Sequence, residues 1–108
     1  MSIILDASTD VSANHVLAVL FIILENNSPK VHFYRLLDLG FKATAEDHVK
    51  ILKAAFEEDE LLDDIKELLV GWTSDGAPVM LADEGGAASK FEIMLGKPLK
   101  KTHCGAHR

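Results

Sequence analysis

A continuous apolar run does most to restrict the folds open to this sequence. Residues 16–24 read VLAVLFIIL, without a charged or polar side chain. The run is much shorter than the roughly 20 residues of a membrane-spanning helix, and its β-branched side chains favour a strand. Because a strand that is apolar at every position is normally covered on both faces, we expect this one to lie inside a layered sheet. The run predicts no membrane partner.

Length, composition and charge are those of one globular domain. The 108 residues are 48% hydrophobic, and domains cluster near ~100–150 residues. The formal net charge of −6 argues against nucleic-acid binding by this chain alone, because phosphate affinity comes mainly from Lys and Arg. Cys104 is the only cysteine, which excludes an internal disulfide and fits a reducing compartment. Met1 is followed by a strand-like run without a basic region, so the sequence predicts no signal peptide.

The N-terminal part of the chain predicts an antiparallel meander. Residues 3–5 have the pattern of a short buried strand, and residues 6–10 form its polar end in this prediction. Residues 26–29 read NNSP, which is turn chemistry, because Asn tolerates a positive φ and Pro cannot continue a central strand. Residues 31–36 then return as the second strand of a hairpin with the apolar run.

Two helices are predicted after the meander. Thr44 and Asp47 have the spacing of a capping box, which marks a helix start. The apolar residues that follow have helical spacing and form one face, namely Ala45, Val49, Leu52 and Phe56. We expect the acidic residues 57–60 to end this helix. Residues 65–69 suggest a shorter second helix before a strand that leads to Asp75.

The C-terminal part adds a helix and a strand. Residues 79–95 have a helical pattern, with an interruption at the glycine pair 85–86 and a stop at Gly96. Residues 99–104 are a weaker candidate for a strand. The element order β-β-β-α-β-α-β predicts an α/β (α+β) fold, in which a mixed sheet carries helices on its faces.

Two aspartates follow apolar runs at the ends of predicted strands. Asp6 follows residues 3–5, and Asp75 follows residues 68–72 after a short polar step. Carboxylates at the ends of neighbouring strands can converge and hold a divalent cation. The alternative is that both aspartates only form turns. Asp10 competes with Asp6 for the role of ligand, although its position beyond the strand is more typical of a turn.

The C-terminal residues 103–108 read HCGAHR and contain a second group of candidate ligands. Cys104 and His107, with His103, could be interpreted as a zinc site. Structural zinc normally has four protein ligands, and the chain has no second cysteine. The other interpretation is a packed Cys and a hydrogen-bonded His that support the last strand near the two aspartates.

Other functional classes fit the sequence less well. The carboxylates of residues 57–60 and 63–64 are interpreted as a solvated helix junction rather than a cation site. Phosphatases of the haloacid-dehalogenase type need a second Asp two residues after the first, where this chain has Ser8. A nucleotide-binding P-loop motif is absent from the sequence. We expect Trp72 to pack in the core rather than to stack on nucleic-acid bases.

The element order and three short motifs resemble a known family. With one acid on the first strand and another after the fourth, the predicted order looks like the ribonuclease H-like fold. Residues 5–10 (LDASTD) resemble the "D-x-x-T" segment of hAT-superfamily transposases, and residues 73–80 (TSDGAPVM) resemble their "D-x-x-x-N-M/V" segment. Residues 103–108 resemble their "C-x-x-H" segment. Together these motifs resemble those of transposon-derived, zinc-finger-associated animal proteins.

The resemblance implies a chemistry and roles for four residues. Asp6 would be the first catalytic acid and metal ligand, Asp75 the second, and Cys104 and His107 the supporting C-x-x-H pair. The cofactor would be Mg²⁺ or Mn²⁺, and the parent reaction would be DNA cleavage and strand transfer. The family's third acid, a glutamate, lies beyond a large helical insertion. We therefore expect residues 1–108 to be a partial, incomplete ribonuclease H-like domain that is inactive in isolation.

The resemblance also implies partners and a location. DNA would be bound through modules absent from this chain, and the full-length protein would form a homo-oligomer. The location would be nuclear, with the cytoplasm as the alternative. A different functional class stays open, because such a domain could have been retained only for interaction or scaffolding.

Overall fold

The computed structural model describes residues 1–9, 14–40, 44–74 and 86–103, and within them the order of elements is β-β-β-α-α-β-α-β. The strands are β1 (Ser2–Thr9), β2 (His15–Glu25), β3 (Ser28–Gly40), β4 (Gly71–Ser74) and β5 (Lys100–His103). The helices are α1 (Ala45–Glu58), α2 (Leu62–Leu68) and α3 (Ala87–Leu95). The predicted mixed class of helices and strands is confirmed.

The five strands form one mixed sheet in the order β3-β2-β1-β4-β5. β2 is antiparallel to both β1 and β3, as the meander predicted, whereas β4 is parallel to β1 and β5 is parallel to β4. The turn between β2 and β3 has φ values of 50° at Asn26 and 63° at Asn27. Two consecutive positive φ values match the twist of a hairpin, and Asn accepts them better than most residues. The predicted turn chemistry is confirmed.

Two strands are longer than the sequence pattern predicted. β1 continues through the polar residues to Thr9, which pairs with His15, so the prediction that the strand ends before Asp6 was wrong. Backbone pairing with β2 extends β1, because polar side chains are tolerated on a strand face that meets solvent. β3 reaches Gly40, and an irregularity between its partners Val19 and Leu20 makes Tyr34 the extra residue of a β-bulge.

The three described helices cover one face of the sheet. The core side chains of the strands all point to that face, and they include Ile3, Leu5, Leu17, Val19, Phe21, Leu37 and Trp72. They pack against the helices through contacts such as Phe21–Phe56 and Trp72–Phe91, whose ring centroids lie 6.0 and 5.5 Å apart. The prediction of helices on both faces does not hold for the described residues. A sheet with antiparallel strands can leave one face exposed to solvent, whereas a fully parallel sheet is normally covered on both faces.

Helix boundaries follow the local sequence signals. The Thr44 side chain accepts a hydrogen bond from the backbone N–H of Asp47, and the Asp47 carboxylate accepts one from the backbone N–H of Thr44, so the predicted capping box is confirmed. α1 ends in the acidic run, where Glu60 has a φ of 58°. Gly96 ends α3 with a φ of 78°, a conformation that suits glycine. Residues 79–85 of the predicted long helix lie outside the described residues.

None of the helices in the described part of the chain has the length and apolar character needed to span a bilayer.

Candidate metal centre

Asp6 lies in the interior of β1, on the face opposite to the helices. Its neighbour Leu5 is buried against the helices, whereas Asp6 is exposed and lies across from Ala18 of β2. Successive side chains of a strand point to opposite faces, so burial of Ile3 and Leu5 directs the Asp6 carboxylate away from the core. The position makes this carboxylate accessible to a ligand from solvent.

The parallel pair of β1 and β4 sets the register beside Asp6. Ser2 is paired with Gly71, Ile3 with Trp72 and Ile4 with Thr73. The Ser2 side chain fills the space beside Gly71, because a Cβ added at Gly71 would lie only 2.6 Å from the Ser2 Oγ. A glycine therefore fits here without displacing the Ser2 hydroxyl.

Val70, which directly precedes β4, connects the start of this strand to both neighbouring strands. Its N–H donates to the carbonyl of Met1 at 2.8 Å, and its carbonyl accepts from the N–H of Lys100 at 2.9 Å. These bonds connect the beginnings of β1, β4 and β5 directly. The three parallel strands thus start level with one another.

Trp72 and Ser74 fix β4 to the core. Both side chains are fully buried, and the indole Nε1–H of Trp72 donates to the Ser74 Oγ at 2.9 Å. The Trp72 ring also contacts Phe91 of α3, which confirms its predicted place in the core. The sequence reading missed the role of Ser74. The only available signal was its spacing of two from Trp72, which puts both on one strand face.

The remaining predicted site residues lie outside the described residues. These are Asp75, Cys104 and His107, together with the competing Asp10. Each of the first two follows directly on a described strand, since Ser74 ends β4 and His103 ends β5. Ser74 and His103 are paired in the sheet, which confirms that the predicted last strand lies beside the one that leads to Asp75.

β5 is attached to α3 through the side chain of Glu92. One carboxylate oxygen lies 2.7 Å from the Lys101 Nζ, and the other accepts a hydrogen bond from the Leu99 N–H at 2.6 Å. Burial alone would raise the pKa of Glu92, but the hydrogen bonds from Lys101 and Leu99 and the charge of Lys101 outweigh it and hold the pKa below its usual value. This contact positions the strand that ends just before Cys104.

The described residues do not form a complete set of metal ligands. Among them, three or more His, Cys, Asp or Glu side chains do not converge on any point where a metal ion could bind. Asp6 is the predicted ligand that falls within the described ranges. Its exposed carboxylate suits a hard cation that keeps several waters, which is how Mg²⁺ is usually bound.

Comparison with known proteins does not identify a family. No protein-family model matches the sequence. No match is found among curated proteins either.

Proposed function

We propose that this chain is part of the ribonuclease H-like catalytic domain of a hAT-type DNA transposase, or of its domesticated descendant. The observation that carries the proposal is the pairing of Ile4 with Thr73 in two parallel strands. Asp6 and Asp75 each follow one of these paired residues by two positions. Parallel strands in register advance by the same distance per residue, so this spacing is the one that would make the two carboxylates neighbours.

The sheet supports the same proposal. An antiparallel meander of β1, β2 and β3 is followed by β4 and β5, which run parallel to β1. This succession agrees with the order that the family resemblance implies, apart from the separate short helix α2. The pairing of Ser74 with His103 also brings together the strands that precede Asp75 and Cys104.

In this proposal Asp6 and Asp75 would hold Mg²⁺ or Mn²⁺, with Cys104 and His107 as supporting residues. Bound in pairs, such ions activate the attacking oxygen and stabilise the leaving oxygen of a phosphodiester. The contribution of this chain would be the paired strands β1 and β4, with the exposed Asp6 carboxylate on the face of the sheet opposite to the helices. Two carboxylates leave most ligand positions to water and phosphate oxygens, and we expect the chain alone to be inactive.

The proposal also includes partners and a location. DNA would be contacted mainly by other modules of the protein, because the net charge of −6 gives this chain little affinity for phosphates. A homo-oligomeric full-length protein and a nuclear location belong to the same proposal.

Manganese binding tests the proposed ligand pair. Mn²⁺ is paramagnetic and broadens the amide resonances of nearby residues in a ¹⁵N–¹H spectrum. We expect selective broadening at Ile4, Asp6 and Thr73, and we expect Asp6→Asn and Asp75→Asn each to abolish it. Asp63→Asn in α2 removes the same charge elsewhere and should leave the broadening unchanged. Broadening that centres on α2, or that survives both substitutions, would refute the metal site.

A second candidate function is an interaction domain without catalytic activity. It is favoured by exposed apolar side chains on β3, since Val31, Phe33 and Leu36 are each at least 60% exposed. Exposed apolar surface of this kind often marks a protein interface. A chain that binds no Mn²⁺ at Asp6 but associates with a partner through β3 would support this second function over the first.

A further inference from the structure

An apolar groove opens between α2 and the hairpin of β2 and β3. Its volume is about 410 Å³, within the size range of ligand pockets. Apolar side chains dominate its walls, among them Met1, Ile23, Leu61 and Leu68. Leu68 is 52% exposed and Ile23 is 37% exposed, so part of this apolar surface faces solvent. The groove is independent of the β1–β4 pair that carries the proposed function.

Carboxylates lie at the groove and close to it. Asp64 lines it directly, and Glu25 lies beside it, 2.8 Å from the ring of His32. A second hollow of about 480 Å³ at the junction of α1 and α2 is lined by Glu57, Glu60 and Asp63. Glu60 and Asp63 are chain neighbours of the groove residues Leu61 and Asp64, so the rim of the groove has more acidic than basic groups; the basic ones are the N-terminal ammonium of Met1 and His32.

Several rim carboxylates have no basic partner within the described part of the chain. Arg35 is close to Glu58 and Asp59, at 3.5 Å from each. The described residues contain no ion pair to Glu60, Asp63 or Asp64. A basic ligand could therefore pair with these three carboxylates without displacing an ion pair of the described residues.

We propose that this groove binds a basic amphipathic segment of a partner protein. One apolar side chain of the segment would insert between Leu68 and Ile23, and its Lys or Arg side chains would face Asp64 and the carboxylates of the α1–α2 junction. Amphipathic helices bind to apolar grooves in this way, and complementary charge at the rim selects the partner. Acidic or phosphorylated peptides and anionic membranes are disfavoured by the same carboxylates.

A second copy of this chain is a poorer occupant. In a twofold dimer the same patch meets itself, so the carboxylates of one copy would approach those of the other. Like charges placed opposite each other across an interface are unfavourable. The charge of the rim thus favours a basic partner over self-association.

Binding can be measured with two designed helical peptides. Each is about 14 residues long, which gives four helical turns. The first has a leucine face and lysines elsewhere, and the second has the same leucine face with glutamates in place of lysines. We expect only the lysine peptide to bind, with shifts in the ¹⁵N–¹H spectrum at Ile23, His32 and Leu68. Raising the salt from about 0.05 to about 0.5 M should weaken binding, because rim charges are screened.

Substitutions at exposed positions locate the binding surface. Leu68→Asp should weaken binding of the lysine peptide at least about tenfold, and Asp64→Asn about threefold. Ile93→Asp is the matched control, because Ile93 is an exposed apolar residue of α3 that does not line the groove, and it should leave binding unchanged. The far-ultraviolet circular dichroism of each variant checks that it is folded.

Three results would overturn the proposal. The first is equal affinity for the two peptides, which would show that charge does not select the ligand. The second is an equal loss of binding in Leu68→Asp and Ile93→Asp, which would place the peptide elsewhere. The third is a dimer of the wild type, seen by sedimentation velocity, that Leu68→Asp converts to a monomer. In that case the groove would be occupied by a second copy.

Discussion

Tyr34 connects the bulge of β3 to the end of α1. Its hydroxyl lies within hydrogen-bonding distance of the Asp59 carboxylate and of the Ala55 carbonyl. Burial, followed by the hydrogen bond to Asp59, raises the pKa of Tyr34 from 10.0 to about 12 against the opposing effect of Arg35. The neutral phenol is therefore the form that the folded protein favours.

This raised pKa can be observed directly, because Tyr34 is the only tyrosine of the chain. We expect phenolate absorbance of the folded protein to appear near pH 12, whereas the chain in denaturant should titrate near its ordinary value of 10.0. A raised folded-state pKa gives stability that is complete below the unfolded pKa and is lost as the pH rises through the folded pKa. The unfolding free energy should fall over this interval in the wild type and less in Tyr34→Phe. Identical titration curves in the folded and denatured states would contradict the assignment.

The pair of Trp72 and Ser74 gives a second prediction at single residues. Ser74→Ala leaves the buried indole N–H without the Ser74 acceptor, and an unsatisfied buried donor costs about 1 to 3 kcal/mol. We expect this loss in urea unfolding followed by the fluorescence of the single tryptophan. Ser8→Ala on the exposed side of β1 is the control and should change stability by less than about 0.5 kcal/mol. A similarly small change in stability for both variants would mean that the hydrogen bond between Trp72 and Ser74 contributes little to the free energy of unfolding.

At the level of elements, local sequence signals were sufficient to predict the ends of helices and the hairpin turn, because there a single residue type determines the backbone conformation. Thr44 predicted the start of α1, the two asparagines predicted the hairpin turn, and Gly96 predicted the end of α3. These signals act over a few residues, so the sequence contains them directly. The site was harder to predict, because the register of β1 against β4, in which Ile4 pairs with Thr73, is a long-range property that no local pattern in the sequence contains.

Long-range effects explain the incorrect predictions. β1 continues past Asp6 because β2 offers backbone partners, which no local pattern reveals. The apolar run in β2 suggested cover on both faces, yet the described helices pack on only one, where Leu17, Val19 and Phe21 are buried. Apolar side chains on the opposite face, such as Leu20 and Ile22, are shielded only in part. Periodicity alone does not distinguish a fully covered strand from one with this arrangement.

Glu92 gives a prediction for the attachment of β5 to α3. Glu92→Gln removes the ion pair with Lys101 and weakens the bond to the Leu99 N–H, and we expect a loss of about 1 kcal/mol at neutral pH. The folded-state pKa of Glu92 is lowered, so its stabilisation is present above the unfolded pKa and is lost as the pH falls through the folded pKa. The difference from the wild type should therefore disappear in acid. Urea unfolding of both proteins at neutral and at acidic pH measures this difference in unfolding free energy. A difference that persists in acid would show that Glu92 stabilises the protein through packing rather than through its charge.

At the level of the whole molecule, the proposed metal pair and the charge lead to one prediction on activity. The isolated chain should not nick supercoiled DNA above background with Mg²⁺ or Mn²⁺, since it supplies two carboxylates and carries a net charge of −6. Agarose gel electrophoresis of the plasmid measures nicking. Cleavage that is lost in both Asp6→Asn and Asp75→Asn, but not in Asp63→Asn, would show that the chain is catalytically competent alone.

The tight asparagine turn has a consequence for the order in which the protein folds. β2 and β3 pair across a two-residue connection, so this hairpin can form within microseconds and with little loss of chain entropy. β1 and β4 instead pair Ser2 with Gly71. Such a distant pairing loses the entropy of closing a long loop before any stabilising contact forms. We expect the hairpin to form early and the β1–β4 pair late. The side of β1 that faces β4 would then be completed only late in folding, and mutations in β4 would mainly accelerate unfolding.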